Sequence, residues 1–323
     1  MERSLLQDRT SLLADIAEMY YLEEKNQAEI AKIVGVTRSM VSRMLTEARE
    51  SGIVEIRIQR PLHSDPELEA ALRKEFGLKD VCAIVTNHRD GERLVHTLGS
   101  AGARMLASQL NPQKTLGLTW GTSISATVNA FETTKQAPIK VVQLVGAMGA
   151  RMMEYDGHNL VSRIAEKLGG EAYYLNAPYL CENAEMAKAL LKTKSVQETI
   201  RLSKKIDVAL LGIGSTSPNY SSFYLAGYIT SQELEDLRKA GAVGDVCGWH
   251  FNVHGQPACD TFCERLVSIH REDLLSIPVR LGVAGGEGKA DAILGALRSK
   301  YVNMLVIDSL TARKVLELAQ SNK

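Results

Sequence analysis

The feature that most constrains the fold is a change of hydrophobic pattern around two prolines, Pro61 and Pro66. Before them, apolar residues recur mainly at helical spacing, whereas after them short apolar runs alternate with helical stretches. A chain of 323 residues is also long for a single core. We therefore expect two domains, one formed by residues 1–60 and the other by residues 61–323.

The first domain contains two short helical patterns that meet at Gly35. Ala31 is small enough for two helices to cross closely, Gly35 tolerates positive φ in the turn, and Thr37 can cap the second helix. These features predict a helix-turn-helix whose second helix enters the major groove of double-stranded DNA. The residues expected to contact bases and phosphates are Gln27, Thr37, Arg38, Ser39, Ser42 and Arg43.

Residues 53–58 alternate apolar and charged side chains, which predicts a strand suited to a wing. The alternative for the whole segment is an ordinary pair of amphipathic helices with a solvated arginine face. We favour DNA binding because the small crossing residue, the glycine turn, the threonine cap and the strand agree with one another. Since the net charge is +0, any DNA contact must come from a local basic patch.

In the second domain, short apolar strands alternate with helices, which predicts a mostly parallel sheet covered on both faces, a doubly wound α/β fold. The expected strands are 81–85, 115–118, 140–145, 172–175, 208–211, 279–283 and 304–307. The expected helices are 68–76, 93–110, 124–131, 160–168, two within 184–205, 289–298 and 311–319.

Three glycine-containing loops of this domain are typical of ligand sites. In the first, Gly121, Thr122 and Ser123 open a helix, where free N–H groups and hydroxyls bind anions. In the second, Asp245 can accept hydrogen bonds from sugar hydroxyls, and in the third Lys289 can neutralise a phosphate. Each loop also has a plainer explanation: a capped strand–helix turn, a turn aspartate, or a glycine-rich connection with a solvated lysine. At the carboxyl ends of parallel strands, all three could line one crevice.

Other motifs argue against several classes of protein. Neither the third loop nor residues 212–217 carry the dinucleotide fingerprint, and a P-loop pattern is missing, so we expect no nucleotide cofactor. The histidines lack metal-ligand spacing, and the five cysteines are scattered, as is typical of free thiols. The sequence has neither an apolar run of the ~18 residues that span a bilayer nor a start typical of a signal peptide. We expect a cytoplasmic protein with no metal and no membrane partner.

Together these segments resemble the SorC family of sugar-binding transcriptional regulators. The resemblance covers nearly the whole chain. Its most specific part is the stretch Val283-Ala284-Gly285-Gly286 with Lys289, followed by residues 292–293, 305–308 and 311–312. The other matching segments are residues 37–45, 52–54, 117–121, 144–146, 177–178, 211–214 and 244–245.

The resemblance implies a Rossmann-like effector domain similar to glucosamine-6-phosphate deaminase and ribose-5-phosphate isomerase. It also implies a small phosphorylated sugar as effector and a homo-oligomer, dimer or tetramer, bound to operator DNA. In the matching motifs, Gly121, Thr122 and Ser123 correspond to the phosphate loop. Asp245 corresponds to a hydroxyl-binding carboxylate and Lys289 to a phosphate-binding lysine.

The matching motifs add three glycines to the expected effector site: Gly146, Gly212 and Gly214. The chain departs from the family pattern after Gly248. Many members carry a basic or aliphatic residue, two aromatic residues and an aspartate there, whereas this chain has Trp249-His250-Phe251-Asn252.

We therefore expect a DNA-binding regulator of a carbohydrate catabolism operon, controlled by a sugar effector, and not an enzyme. The alternative is a sugar-phosphate isomerase or deaminase with an appended DNA-binding module, since fold alone does not give function. The sequence offers no convincing base with an orienting partner for such catalysis. A scaffold that binds protein through its N-terminal helices is a third possibility, to be considered only if DNA binding is absent.

Overall fold

The computed structural model describes residues 2–54, 62–133, 138–149 and 153–321, with side chains from residue 9 onward. The chain divides into two compact units, Met1–Pro61 and Leu62–Lys323. This division lies one residue beyond the boundary expected from the sequence.

The first unit contains three described helices, α1 (Glu2–Tyr21), α2 (Gln27–Val34) and α3 (Arg38–Glu50). Asn26 and Glu29 form a capping box at the start of α2. Gly35 ends α2 with a φ of 75°, and the Thr37 hydroxyl accepts a hydrogen bond from the Met40 amide at 3.3 Å. The predicted helix-turn-helix is thus confirmed, with its glycine and its cap.

The three helices share a small core that includes Ile16, Ile30, Val41 and Leu45, all of which are buried. Ile53 and Val54 pack partly buried against this core. The remainder of the predicted wing strand, residues 55–58, lies outside the described residues.

The second unit is built on a sheet of seven parallel strands in the order β1-β10-β9-β5-β2-β3-β4. A smaller antiparallel sheet has the order β6-β7-β8. The strands are β1 (Asp80–Ile84), β2 (Thr115–Leu118), β3 (Lys140–Gln143), β4 (Glu171–Tyr173), β5 (Val208–Gly212), β6 (Gly214–Ser215), β7 (Gly244–Val246), β8 (Trp249–Phe251), β9 (Val279–Val283) and β10 (Met304–Asp308).

The helices of this unit alternate with the strands along the chain. They are α4 (Pro66–Phe76), α5 (Gly91–Gln109), α6 (Thr122–Ala130), α7 (Gly157–Leu168), α8 (Ala184–Leu191), α9 (Lys194–Ser203), α10 (Ser222–Leu225), α11 (Ser231–Lys239), α12 (Asp260–Cys263), α13 (Arg271–Ser276), α14 (Ala290–Arg298) and α15 (Ser309–Ser321). The 3-10 turn Glu287–Lys289 precedes α14, so Lys289 stands immediately before that helix.

Two hydrophobic cores lie on opposite faces of the parallel sheet. Val141 and Leu210 belong to one core, and their chain neighbours Val142 and Leu211 belong to the other. Because successive side chains of a strand point to opposite faces, helices must cover both. This confirms the predicted doubly wound α/β class.

The direction of winding reverses between β2 and β5. From β2 the chain proceeds through β3 and β4 to one edge of the sheet and then returns to β5 on the other side of β2. Such a topological switch opens a crevice at the carboxyl ends of the two strands, where open α/β sheets bind ligands.

Candidate functional site: a DNA-reading surface and a ligand cleft

The outer face of α3 carries most of the residues predicted to read DNA. Arg38, Ser39, Ser42 and Arg43 are exposed. Thr37 is also exposed, but its hydroxyl is engaged in the cap and lies 3.0 Å from that of Ser39. Gln27 is the first residue of α2 and is half-buried. The structure therefore leaves the two arginines at the surface, as recognition requires.

A different residue of α3, Glu47, holds this helix against α1. The guanidinium of Arg9 on α1 donates two hydrogen bonds to the Glu47 carboxylate, at 2.7 and 2.8 Å. Within the described chain, Arg38 and Arg43 have no ion-pair or hydrogen-bonding side-chain partner. Their guanidinium groups are therefore available for phosphates or guanine edges.

A cleft of about 580 Å³, open to solvent, lies at the topological switch. Seven of the eight residues predicted for the effector site line it: Gly121, Thr122, Ser123, Gly212, Gly214, Asp245 and Lys289. They come from the segments that follow β2 and β9, from the end of β5, and from β6 and β7. The predicted convergence of the three loops is therefore what the fold produces.

The first wall of the cleft is the start of α6. Gly121 adopts a φ of 126°, and its N–H donates to the carbonyl of Tyr155 at 3.1 Å. The next three N–H groups, those of Thr122, Ser123 and Ile124, have no acceptor among the residues that the structure describes. Unpaired amides at the start of a helix of nine residues favour a negatively charged ligand.

The floor of the cleft is bare backbone. The Gly212 amide donates to the Thr119 hydroxyl at 3.1 Å, which fixes the end of β5 against the end of β2. At Gly214, a Cβ atom would lie 1.9 Å from an oxygen of the Asp245 carboxylate. Only glycine leaves room for that carboxylate.

Asp245 is a turn aspartate that also lines the cleft. One carboxylate oxygen accepts a hydrogen bond from the Gly248 amide at 3.0 Å, as a turn aspartate does. The side chain nevertheless lines the cleft and is only half-buried. Its remaining acceptor capacity is available to the hydroxyl groups of a ligand.

Lys289 also lines the cleft and contacts the segment between β5 and β6. Its ammonium group donates to the Ile213 carbonyl at 3.2 Å. Burial lowers the pKa of Lys289, and the nearby carboxylate of Asp245 partly opposes this shift. A bound anion would therefore add to the charge compensation that Asp245 supplies only in part.

Sequence reasoning missed an aromatic wall. Trp120, Tyr179 and Phe223 line the cleft and contact one another, with ring centroids 5.2 to 6.3 Å apart. Trp120 lay within the first predicted loop, but the other two come from segments where no site was expected. The further lining residues are Thr119, Ile124, Val145, Ile213, Ser215, Ser221, Ser222 and Cys247.

Comparison with known proteins agrees with this architecture. The Sugar-bind family, a sugar-binding domain, matches residues 60–317, and the region 4 family of sigma-70 matches residues 14–51. The transcriptional regulator LsrR of Escherichia coli is 32% identical over 309 residues, which cover 94% of each chain.

The sorbitol operon regulator of Klebsiella pneumoniae is 28% identical over 316 residues, or 96% of this chain and 99% of that one. Its full-length crystal structure superposes with a TM-score of 0.74, covering 95% of this chain and 98% of that one. The chain belongs to the SorC family of sugar-binding transcriptional regulators. It therefore pairs a DNA-binding helix-turn-helix with an effector domain of the sugar-binding type.

One glycine of the SorC family pattern does not line the cleft. A Cβ atom at Gly146 would lie 2.7 Å from backbone atoms of Ala177 and Pro178. The Gly146 amide donates to the Val267 carbonyl at 2.9 Å. The structure thus accounts for this glycine by close backbone packing, while its neighbour Val145 faces the ligand space.

The segment in which this chain departs from the SorC family pattern does not line the cleft either. The Trp249 indole donates to the Ile269 carbonyl at 3.0 Å, His250 and Phe251 are buried, and the Asn252 side chain accepts hydrogen bonds from nearby amides. Burial also lowers the pKa of His250. The departure therefore concerns packing behind Asp245 and not the lining itself.

Three of the five cysteines, Cys181, Cys247 and Cys263, are buried free thiols, and the other two are half-buried. Within the described ranges, no group of histidine, cysteine and carboxylate side chains is arranged to hold a metal ion. Among the helices that the structure describes, none combines the length and the apolar character that a membrane crossing requires.

Proposed function

We propose that this chain regulates an operon of carbohydrate catabolism in the cytoplasm, and that a small phosphorylated sugar bound in the cleft sets its affinity for the operator. One observation carries the proposal. The unpaired amides at the start of α6, the ammonium group of Lys289 and the carboxylate of Asp245 line the same cleft.

The anionic part of the ligand is assigned to the start of α6. Its free N–H groups and the hydroxyls of Thr122 and Ser123 offer hydrogen bonds, and the helix dipole favours negative charge there. The ammonium group of Lys289, which lines the same cleft, adds a positive charge when it is protonated. A phosphate carries enough acceptor oxygens to use both sets of donors at once.

The sugar itself is assigned to the remaining surfaces. Asp245 accepts hydrogen bonds from hydroxyl groups, and Ser215, Ser221 and Ser222 provide further polar contacts. The aromatic wall supports the apolar C–H face of the sugar. This mixture of apolar surface and a few converging polar groups is typical of small-ligand sites.

Regulation would then follow from linkage. A sugar phosphate that binds one arrangement of a homo-oligomer better shifts the population towards it, with a typical coupling of about 1–3 kcal/mol between effector and operator. A dimer or tetramer would read half-sites spaced by about one helical turn of DNA or multiples of it.

The test is a thermal-shift screen of the full chain against glucose 6-phosphate, fructose 6-phosphate, ribose 5-phosphate, sorbitol 6-phosphate and their unphosphorylated parents. A ligand of the native state raises the melting temperature by mass action, so we expect at least one phosphorylated compound to stabilise the protein. Calorimetry would then give its Kd. Stabilisation by parent sugars but by none of the phosphates would contradict the anion assignment.

We further propose that the cleft binds its ligand without turnover, as expected for a chain whose relatives are named as regulators. Prolonged incubation with glucosamine 6-phosphate and ribose 5-phosphate, followed by product analysis, checks this. Turnover that disappears in Asp245→Ala would instead establish an enzyme with a DNA-binding module.

A further inference from the structure

Asp308 is a fully buried carboxylate at the carboxyl end of β10, outside the cleft. One of its oxygens accepts hydrogen bonds from the Gly286 amide at 2.9 Å and the Thr311 hydroxyl at 2.7 Å. The other accepts from the Thr311 amide at 2.9 Å. A buried carboxylate with three short hydrogen bonds fixes the segments that donate to it.

The first of these segments carries Lys289. Gly286 immediately precedes the turn Glu287–Lys289, whose lysine lines the cleft. The loop lies directly on the carboxylate, since a Cβ atom at Gly285 would be 2.4 Å from the Asp308 oxygen. The Lys289 amide donates to the Gly286 carbonyl at 2.8 Å, so the lysine and the residue bound to Asp308 belong to one tight turn.

The start of the effector domain lies beside Asp308 through strand pairing and not through its carboxylate. In the pairing of β10 with β1, Asp308 lies opposite Ile84, which in turn pairs with Ser64. The Val85 amide donates to the His63 carbonyl at 2.8 Å, and the Asp65 amide to the Ala83 carbonyl at the same distance. Residues 63–65 thus extend the sheet beyond β1, and along the chain they follow the end of the DNA-binding unit.

A second connection runs through the last helix. Thr311, which Asp308 holds, lies in the first turn of α15, and Arg313 follows two residues later. The Arg313 guanidinium donates to the Asp65 carboxylate at 2.8 Å. Asp308 therefore reaches residues 63–65 both through the sheet and through the helix.

We propose that Asp308, with Thr311, is a positioning residue that couples the Lys289 loop to residues 63–65. The inference rests on the proposed function, because it gives a route by which an occupied cleft acts on the chain leading to the DNA-binding unit. When a ligand anion draws Lys289 away from the Ile213 carbonyl, the Gly286 amide shifts. The buried carboxylate has no solvent to replace that hydrogen bond, so Asp308 and the start of α15 follow.

Amide hydrogen exchange of the full chain without ligand tests this directly. Thr311→Val removes the hydroxyl donor and leaves the cleft residues unchanged. We expect exchange at Gly286, Asp65 and Val85 to rise together, by about tenfold, because their hydrogen bonds open more readily. Thr311→Ser retains the donor and should restore wild-type rates.

Thr199→Val is the matched control, since Thr199 is also buried and donates its hydroxyl to a carbonyl, that of Tyr174, at 2.7 Å. It should leave exchange at Gly286, Asp65 and Val85 unchanged. The proposal is overturned if Thr311→Val affects Gly286 alone, or if it raises exchange evenly across the sheet. If Thr311→Val does not fold, Asp308→Asn provides the same measurement.

A second arm separates this inference from the proposed function. With ribose 5-phosphate or sorbitol 6-phosphate as probe, protection of residues 286–289 in the wild type should be accompanied by changed exchange at residues 63–65. In Thr311→Val, the change at residues 63–65 should be lost while protection at the loop persists. If neither compound protects residues 286–289, that result counts against the proposed ligands. The exchange measurement without ligand still tests whether Asp308 couples the Lys289 loop to residues 63–65.

Discussion

The DNA-reading surface and the ligand cleft are assembled in opposite ways. The first comes from one continuous segment, in which Asn26, Gly35 and Thr37 set the two helices by local rules. The second comes from loops that are far apart in the sequence and that a parallel sheet brings to one crevice. The difference implies that each region can be altered without damage to the other, and single substitutions can test that independence.

The largest effect is expected for Lys289→Ala in the cleft. Removal of the ammonium group eliminates a charge-assisted hydrogen bond to the ligand phosphate, worth about 1.5–3 kcal/mol, or roughly tenfold to a hundredfold in Kd. Calorimetry with the sugar phosphate found by the screen measures this change. Lys205→Ala removes an exposed lysine and is the control. Equal affinity in the variant and the wild type would exclude Lys289 from the site.

A somewhat smaller loss, in operator affinity, is expected for Arg43→Ala on α3. If Arg43 contacts a guanine or a phosphate, operator affinity should fall by about 1–3 kcal/mol, while sugar phosphate binding and thermal stability remain unchanged. Footprinting or fluorescence anisotropy with operator DNA measures the loss. Lys74→Ala, an exposed lysine of the other unit, should have no such effect. Undiminished operator affinity would refute this placement of Arg43.

The smallest expected effect is the pH dependence of sugar phosphate affinity, which operator affinity should not share. Burial lowers the pKa of Lys289, whereas a bound phosphate should raise it, so binding takes up a proton. Sugar phosphate affinity should therefore fall as pH rises through the lowered pKa, by at most about tenfold per pH unit.

Tyr179 and Cys247 do not interfere in this range, because burial raises the pKa of both groups well above the ordinary values. Lys289→Arg keeps its charge at high pH and should flatten the profile. Operator affinity measured without sugar phosphate should not show the same pH dependence. A profile that is identical in Lys289→Arg and the wild type would assign the titration to another group.

The same contrast explains what could be predicted from sequence. The helix-turn-helix and all seven strands of the parallel sheet follow from the spacing of apolar residues and from turn chemistry. The antiparallel strands β6, β7 and β8 have only two or three residues each, which is too short for a periodic pattern. Asp245 was recognised as a candidate, but not the strand pairing that places it beside Gly214.

The remaining differences have physical reasons as well. Gly146 and Gly214 are both motif glycines, and only the three-dimensional surroundings show that one packs on backbone and the other borders the cleft. Tyr179 and Phe223 are buried aromatic side chains, which a sequence cannot distinguish from core residues. Their place in the wall depends on long-range packing.

The bare floor at Gly214 has an evolutionary consequence. Even a methyl group there would displace the carboxylate of Asp245, so a lineage that adopts a new sugar has little freedom at that point. Ser215, Ser221, Ser222 and Phe223 line the cleft with side chains and are free of that restriction. Divergence in effector choice among descendants of this protein should therefore accumulate at these four positions, with Gly214 and Asp245 left largely unaltered.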